Sequence, residues 1–166
     1  MTGFGGRDVA LLALCVVAVY TDVTTGKIKN WLTFPMIVAG VLFSPWWAPS
    51  AADGLLGLLA AFVPGVLFWR VIPALKPGDV KMLLAAGALL GPQAAIRAVL
   101  LSAILFLPVG LTVLVLRGRL GNFVRIVRGY FRDPSKQDPN ATLILPAPVI
   151  AVGIVAARLQ SRPKLW

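Results

Sequence analysis

The stretch Lys76-Pro77-Gly78-Asp79-Val80-Lys81 decides how this chain is read. It stands between two long apolar runs and places a carboxylate where a chain that crosses a bilayer normally has none. A charged side chain at membrane depth costs at least a few kcal/mol, so such a residue needs a partner and marks a functional site by default. A second acid, Asp22, closes the first apolar run in a comparable place. These two acids are expected to form one site.

Composition supports the membrane setting. The 166 residues are 58% hydrophobic and 13% charged, with a mean hydropathy of +0.87. A soluble domain of this size needs more polar surface than those charges supply. The sequence therefore predicts an all-α, polytopic membrane protein in which residues 1–166 form one integral-membrane domain of about six spans. The net charge of +10, from 16 Lys and Arg against 6 acids, is read as loop charge facing anionic lipid, with no nucleic-acid partner. There is no His, and Cys15 is the sole cysteine. A Ser-His-Asp triad, a His-ligated metal, an internal disulfide and a CxxC knuckle are all excluded. No cofactor or metal is expected, and Cys15 reads as a buried apolar thiol.

Working outward, the first helix covers Val9–Tyr20, borrows residues at both ends and is followed by a polar connection to Asn30. It carries no small-x-small cleavage site and is read as retained rather than as a signal peptide. The second span is Trp31–Trp47, with aromatics at both ends. The third is Gly54–Ile72, kinked at Pro64-Gly65. A short fourth helix, Met82–Leu90, ends at Gly91-Pro92, and a fifth covers Ile96–Leu116. Within Arg117–Asn140, Leu120, Phe123, Val124, Val127 and Phe131 recur at helical spacing among arginines. That pattern suits a basic amphipathic helix on the cytoplasmic membrane surface, with a solvated loop as the alternative. The last span is Thr142–Ala157.

With six spans, eleven cations (Lys27, Lys29, Arg70, Lys76, Lys81, Arg117, Arg119, Arg125, Arg128, Arg132 and Lys136) fall on one side. Five (Arg7, Arg97, Arg158, Arg162 and Lys164) fall on the other. The positive side is cytoplasmic. Both termini are then outside, and Asp22 and Asp79 share the cytoplasmic face.

Two nearby carboxylates cannot both be ionised cheaply and share a proton. One can deprotonate a water while the other protonates a carbonyl oxygen, which hydrolyses a peptide without metal or His. Gly78 permits close backbone approach beside the pair. Lys81 is expected to snorkel to the headgroups, with charge neutralisation at the site as the alternative. From the residues alone two other readings stay open: capping and ion pairing at helix ends, and a proton or ion pathway of a small transporter. Asp8, Asp53, Asp133 and Asp138 read as structural or solvated residues of loops and termini.

Three motifs resemble those of the type IV prepilin peptidases. Asp22 followed by Ile28-Lys29-Asn30-Trp31-Leu32-Thr33 is similar to that family's Asp…Ile-Pro-Asn-x-Leu-Thr signature. Gly78-Asp79-Val80-Lys81, with Ala85-Ala86-Gly87 after it, is similar to Gly-x-Gly-Asp-x-Lys and its helix. Ile144 to Gly153, with Pro146-Ala147-Pro148, is similar to the last-helix Pro-x-Gly-Pro. The resemblance implies an intramembrane aspartic endopeptidase of a prokaryotic inner membrane. It would remove the basic leader of prepilin, pseudopilin or preflagellin-like substrates, ahead of their hydrophobic N-terminal helix. Asp22 and Asp79 carry over as the catalytic pair, with Gly78, Lys81, Asn30, Thr33 and Pro148 as motif positions that shape the site. Lys29, Lys76 and Ala147 depart from the pattern. Larger family members carry paired CxxC motifs and N-methylate the product; a chain with only Cys15 is expected to be a peptidase without methyl transfer.

Overall fold

The structure, a computed structural model, describes residues 5–47, 50, 52–72, 75–116 and 146–161. Among them there is no strand. The helices are α1 (Gly6–Thr25), α2 (Asn30–Leu42), α3 (Ser44–Trp47), α4 (Asp53–Val71), α5 (Pro77–Leu90), α6 (Pro92–Leu116) and α7 (Pro146–Gln160). The chain is an all-α membrane protein. α1, α4 and α6 are each long and apolar enough to cross a bilayer. α2, α5 and α7 have 13 to 15 residues. At 1.5 Å per residue they reach about 20 Å, short of a ~30 Å hydrocarbon core. The six expected spans correspond to these six helices, three of them of full spanning length. The expected amphipathic helix at 117–140 lies outside the described residues.

Boundaries shift for identifiable reasons. α1 runs five residues past Tyr20, so Asp22 lies inside the helix rather than after it. The span expected from Trp31 to Trp47 is divided at Phe43. Pro45 has no N–H to continue the α2 ladder. The Ser44 hydroxyl instead donates to Ser50 O (3.1 Å) and accepts from Gly54 N–H (3.0 Å), tying the break to the start of α4. Pro64 and Pro108 lie within α4 and α6 without ending them. α5 begins at Pro77, five residues before the expected start. Pro77 sits at its first position with a pre-set φ, and Asp79 caps the first turn.

α5 is the centre of the bundle. Ten of its 14 residues are buried, which suits a helix apolar all round. The other long helices follow one another around it: α1 on α2, α2 on α4, α4 on α6, α6 on α7, and α7 back on α1. α5 touches every one of them. The outer helices show the lipid setting most plainly. α1 buries Leu11, Leu14, Cys15, Ala18 and Asp22, yet its outward stripe is Val9, Leu12, Val16, Tyr20 and Val23. A water-facing helix would carry charge on that stripe.

Close approach of helix backbones, together with buried side chains such as Met82, Leu83 and Leu89, holds the centre together. Gly87 of α5 faces Gly57 and Ala61 of α4, so small residues spaced four apart meet across the contact. A Cβ at Gly87 would lie 2.5 Å from the Gly57 carbonyl oxygen and 2.8 Å from the Ala61 Cβ. At the far end of the bundle from Asp22, Arg158 of α7 clamps Asp8 of α1. Its Nε donates to Oδ1 at 2.6 Å and a terminal nitrogen to Oδ2 at 3.2 Å. Asp8 is thus a buried helix residue with a structural partner, not a residue of a solvated terminus.

Gly87→Ala should lower stability in detergent by about 1–3 kcal/mol, because the added methyl meets backbone that cannot rotate away. Gly6→Ala, whose Cβ meets nothing within 4 Å, is the control and should leave the thermal midpoint nearly unchanged. Equal midpoints for the two variants would refute the close-packing account.

Candidate active site

Asp22 is presented by the last turn of α1. The helix stops at Gly26, whose φ is +65° and whose N–H donates to the Asp22 carbonyl at 2.8 Å. That left-handed cap suits glycine, which has no Cβ to clash. It turns the chain sharply through Lys27 and Ile28 into α2. Asp79 is presented by the first turn of α5, where its Oδ2 accepts the backbone N–H of Lys76 at 2.7 Å. An acid here satisfies a free donor and meets the positive end of the helix dipole. Gly78 is where the two segments touch. A Cβ there would stand 3.3 Å from the Ile28 Cβ and 3.5 Å from the Ile28 carbonyl.

The two carboxylates, 57 residues apart in sequence, line one cavity of about 230 Å³. Lys27, Ile28, Asn30, Lys76, Pro77, Gly78 and Lys81 line it with them. At ~30 Å³ per water this is room for roughly seven waters, or for a short length of extended backbone with one. Each aspartate is only 1% exposed. The third contributor is α7. The Ala147 N–H, in its first turn, donates to Asp22 Oδ2 at 3.2 Å. The carboxylates therefore gather the ends of three helices: the C-terminal end of α1 and the N-terminal ends of α5 and α7. Asp8 and Arg158 mark the opposite end of the bundle.

Of the positions expected to shape the site, Gly78, Asn30 and Lys81 line the cavity. The Lys81 ammonium donates to Asn30 Oδ1 at 2.9 Å, joining α5 to α2, and lies 5.3 Å from the centre of the Phe34 ring. Thr33 is buried and its hydroxyl donates to the Asn30 carbonyl at 3.5 Å, within the first turn of α2. Neither Thr33 nor Pro148 lines the cavity. Within the last-helix motif it is the Ala147 backbone N–H that reaches Asp22. Alanine in place of the motif glycine keeps the same N–H, so the substitution leaves this bond available. Lys27, Ile28, Lys76 and Pro77 complete the wall, although none of them was expected to shape the site. Their adjacency to the two acids was the available signal.

Capping describes part of what is seen, since Asp79 does cap α5. Ion pairing does not: among the described residues no Lys or Arg forms a salt bridge with Asp22 or Asp79. Two buried carboxylates, held by backbone donors and facing one cavity, can pass a proton between a water and a bound carbonyl.

Residues 9–111, more than half of the chain, match the type IV leader peptidase family. The chain is similar to the prepilin peptidase EppA of Methanothermobacter thermautotrophicus, with 38% identity over 88 residues. That match covers 49% of this chain and 22% of that relative. It is also similar to a prepilin leader peptidase/N-methyltransferase found in two strains of Burkholderia pseudomallei. There the identity is 33% over 122 residues, covering 69% of this chain and 38% of the relative. The chain thus spans well under half the length of the curated relatives it matches. No solved structure gives a significant match.

The Lys81–Asn30 bridge should register in a double-mutant cycle. Lys81→Met and Asn30→Ala, measured singly and together by unfolding in detergent, should couple by about 0.5–1.5 kcal/mol. Additive losses would show that the two side chains do not hold one another.

Proposed function

The chain belongs to the type IV leader peptidase family, and on that premise we propose that it is an aspartic endopeptidase acting on prepilin-like proteins. In this reading it removes a short basic leader from a substrate whose hydrophobic N-terminal helix lies in the membrane. The observation that carries it is the meeting of Asp22 and Asp79. The two come from different helices, each 1% exposed, and line one cavity in a chain without His.

The mechanism follows from two carboxyl groups that hold one proton between them. The unprotonated one takes a proton from a water as its oxygen attacks the scissile carbonyl carbon. The protonated one gives its proton to the carbonyl oxygen. The tetrahedral diol then collapses: the C–N bond breaks, the proton gained from water passes to the departing amine, and one diol hydroxyl returns its proton to the carboxylate that had protonated the carbonyl oxygen. Both carboxyl groups return to the single-proton state, and neither forms a covalent bond to substrate. The chain's own donors keep the pair in place throughout, Lys76 N–H on Asp79 and Ala147 N–H on Asp22.

The site faces the cytoplasm in this reading, in the inner membrane of a prokaryote, with both termini outside. Support comes from the bias of eleven cations to five, together with a cavity at the end of the bundle opposite Asp8 and Arg158. Anionic lipid is the natural neighbour of those cations and would offset their repulsion of a basic leader. We assign no methyl transfer to these 166 residues, because a single cysteine cannot build the paired CxxC that the resemblance associates with it.

The test is cleavage of a prepilin-like substrate, with a basic leader before a hydrophobic helix, by purified protein in detergent. Asp22→Asn and Asp79→Asn should each reduce the rate by about 10²-fold or more with little change in thermal midpoint. Cleavage at the wild-type rate by either variant would remove that residue from the chemistry.

A further inference from the structure

Two hydrogen bonds leave Lys76 in different directions, one toward each half of the site. Its backbone N–H donates to Asp79 Oδ2 at 2.7 Å. Its side-chain Nζ donates at 2.5 Å to the carbonyl oxygen of Gly26, 50 residues earlier. Gly26 is the residue that caps the α1 turn carrying Asp22. A cation is well placed there. The last carbonyls of a helix have no partner within it and carry the negative end of its dipole, and an ammonium donor makes the bond charge-assisted.

We propose that the Lys76 ammonium, through the Gly26 carbonyl, fixes the end of α1 against the start of α5 and so sets the spacing of the two carboxylates. Lys76 is then a positioning residue for cleavage; this rests on the reading of Asp22 and Asp79 as the acid–base pair. Three features of the structure favour it. The tie joins the two segments directly, whereas Gly78 and Ile28 only touch. Lys81 is engaged with Asn30 on the other helix pair, so it is committed elsewhere. Asp22 is fixed from its other side by α7 through Ala147, so movement of the α1 end would alter its relation to Asp79 rather than carry both acids together. The position is also one where this chain departs from the family motif. A glycine there has no side chain to make the tie, so the device belongs to this sequence.

The substitution Lys76→Met removes the ammonium while leaving the backbone N–H on Asp79. Displacement of reacting groups by about 1 Å can lower a rate up to 10²-fold. In the cleavage assay kcat should fall about tenfold or more, with KM and the thermal midpoint close to wild type. Lys76→Arg, which keeps a donor of similar reach, should recover most of the rate. An unchanged kcat in Lys76→Met would overturn the proposal, as would Arg and Met variants that are equally slow. So would a loss expressed mainly in KM, which would mean that the ammonium holds substrate instead. The Asp22→Asn and Asp79→Asn variants separate the two levels. If they are inactive and Lys76→Met is normal, only the role of Lys76 fails. If they cleave normally, the acid–base pair fails and the positioning role with it.

Discussion

A carboxylate enclosed by apolar helices must be given hydrogen-bond donors, because an unpaired buried charge costs far more than a bundle of this size can offset. The structure meets that demand twice with backbone amides. Asp79 receives the N–H of Lys76, and Asp22 receives the N–H of Ala147. One donor is the residue that caps α5 and the other the second residue of α7, and neither amide has a partner in a helical ladder. Each bond therefore satisfies an acid and a helix end together, and the Ala147 bond joins α7 to α1. The choice of donor matters for chemistry. A lysine in direct contact would hold a carboxylate as an ion pair, whereas an amide leaves the group able to gain and lose a proton.

The packing serves the same end. A central helix of 14 residues does not span a bilayer by itself and does not need to, since neighbouring helices enclose it. Small residues make that enclosure tight. Gly57 and Ala61 admit Gly87 at backbone distance, and dispersion between closely fitted surfaces replaces the hydrophobic driving force that lipid removes. With its far half gripped by α4, α5 presents Asp79 from a fixed axis. The clamp between Asp8 and Arg158 does the same for α1 and α7 from the opposite end.

The site was legible where chemistry is unusual for its setting. Asp22 and Asp79 stand out because acids are rare in apolar sequence, and Asn30, Gly78 and Lys81 follow from the motif around them. Pro148 and Thr33 show the limit. A motif position records that the local backbone matters, but it does not say which atom is used. At α7 the atom is the amide of Ala147, whose presence no side chain advertises. Lys76 was visible as part of the polar stretch around Asp79, as a cytoplasmic cation and as an irregularity in the motif. Its significance rests on the Gly26 carbonyl 50 residues away, a partner that periodicity has no means of indicating.

Sequence by itself determined the membrane class, the six apolar segments and the two acids. Hydropathy and charge are sums over neighbouring residues and need no knowledge of the fold. It placed the ends of helices less well: Pro77 starts a helix that apolar content alone would begin at Met82, and Phe43 divides a run that hydropathy joins. Only the tertiary structure decided which helix is central, which amides hold the carboxylates, and that Lys81 binds Asn30. Those outcomes depend on contacts between residues far apart in the chain. Such contacts exist only once the helices have packed.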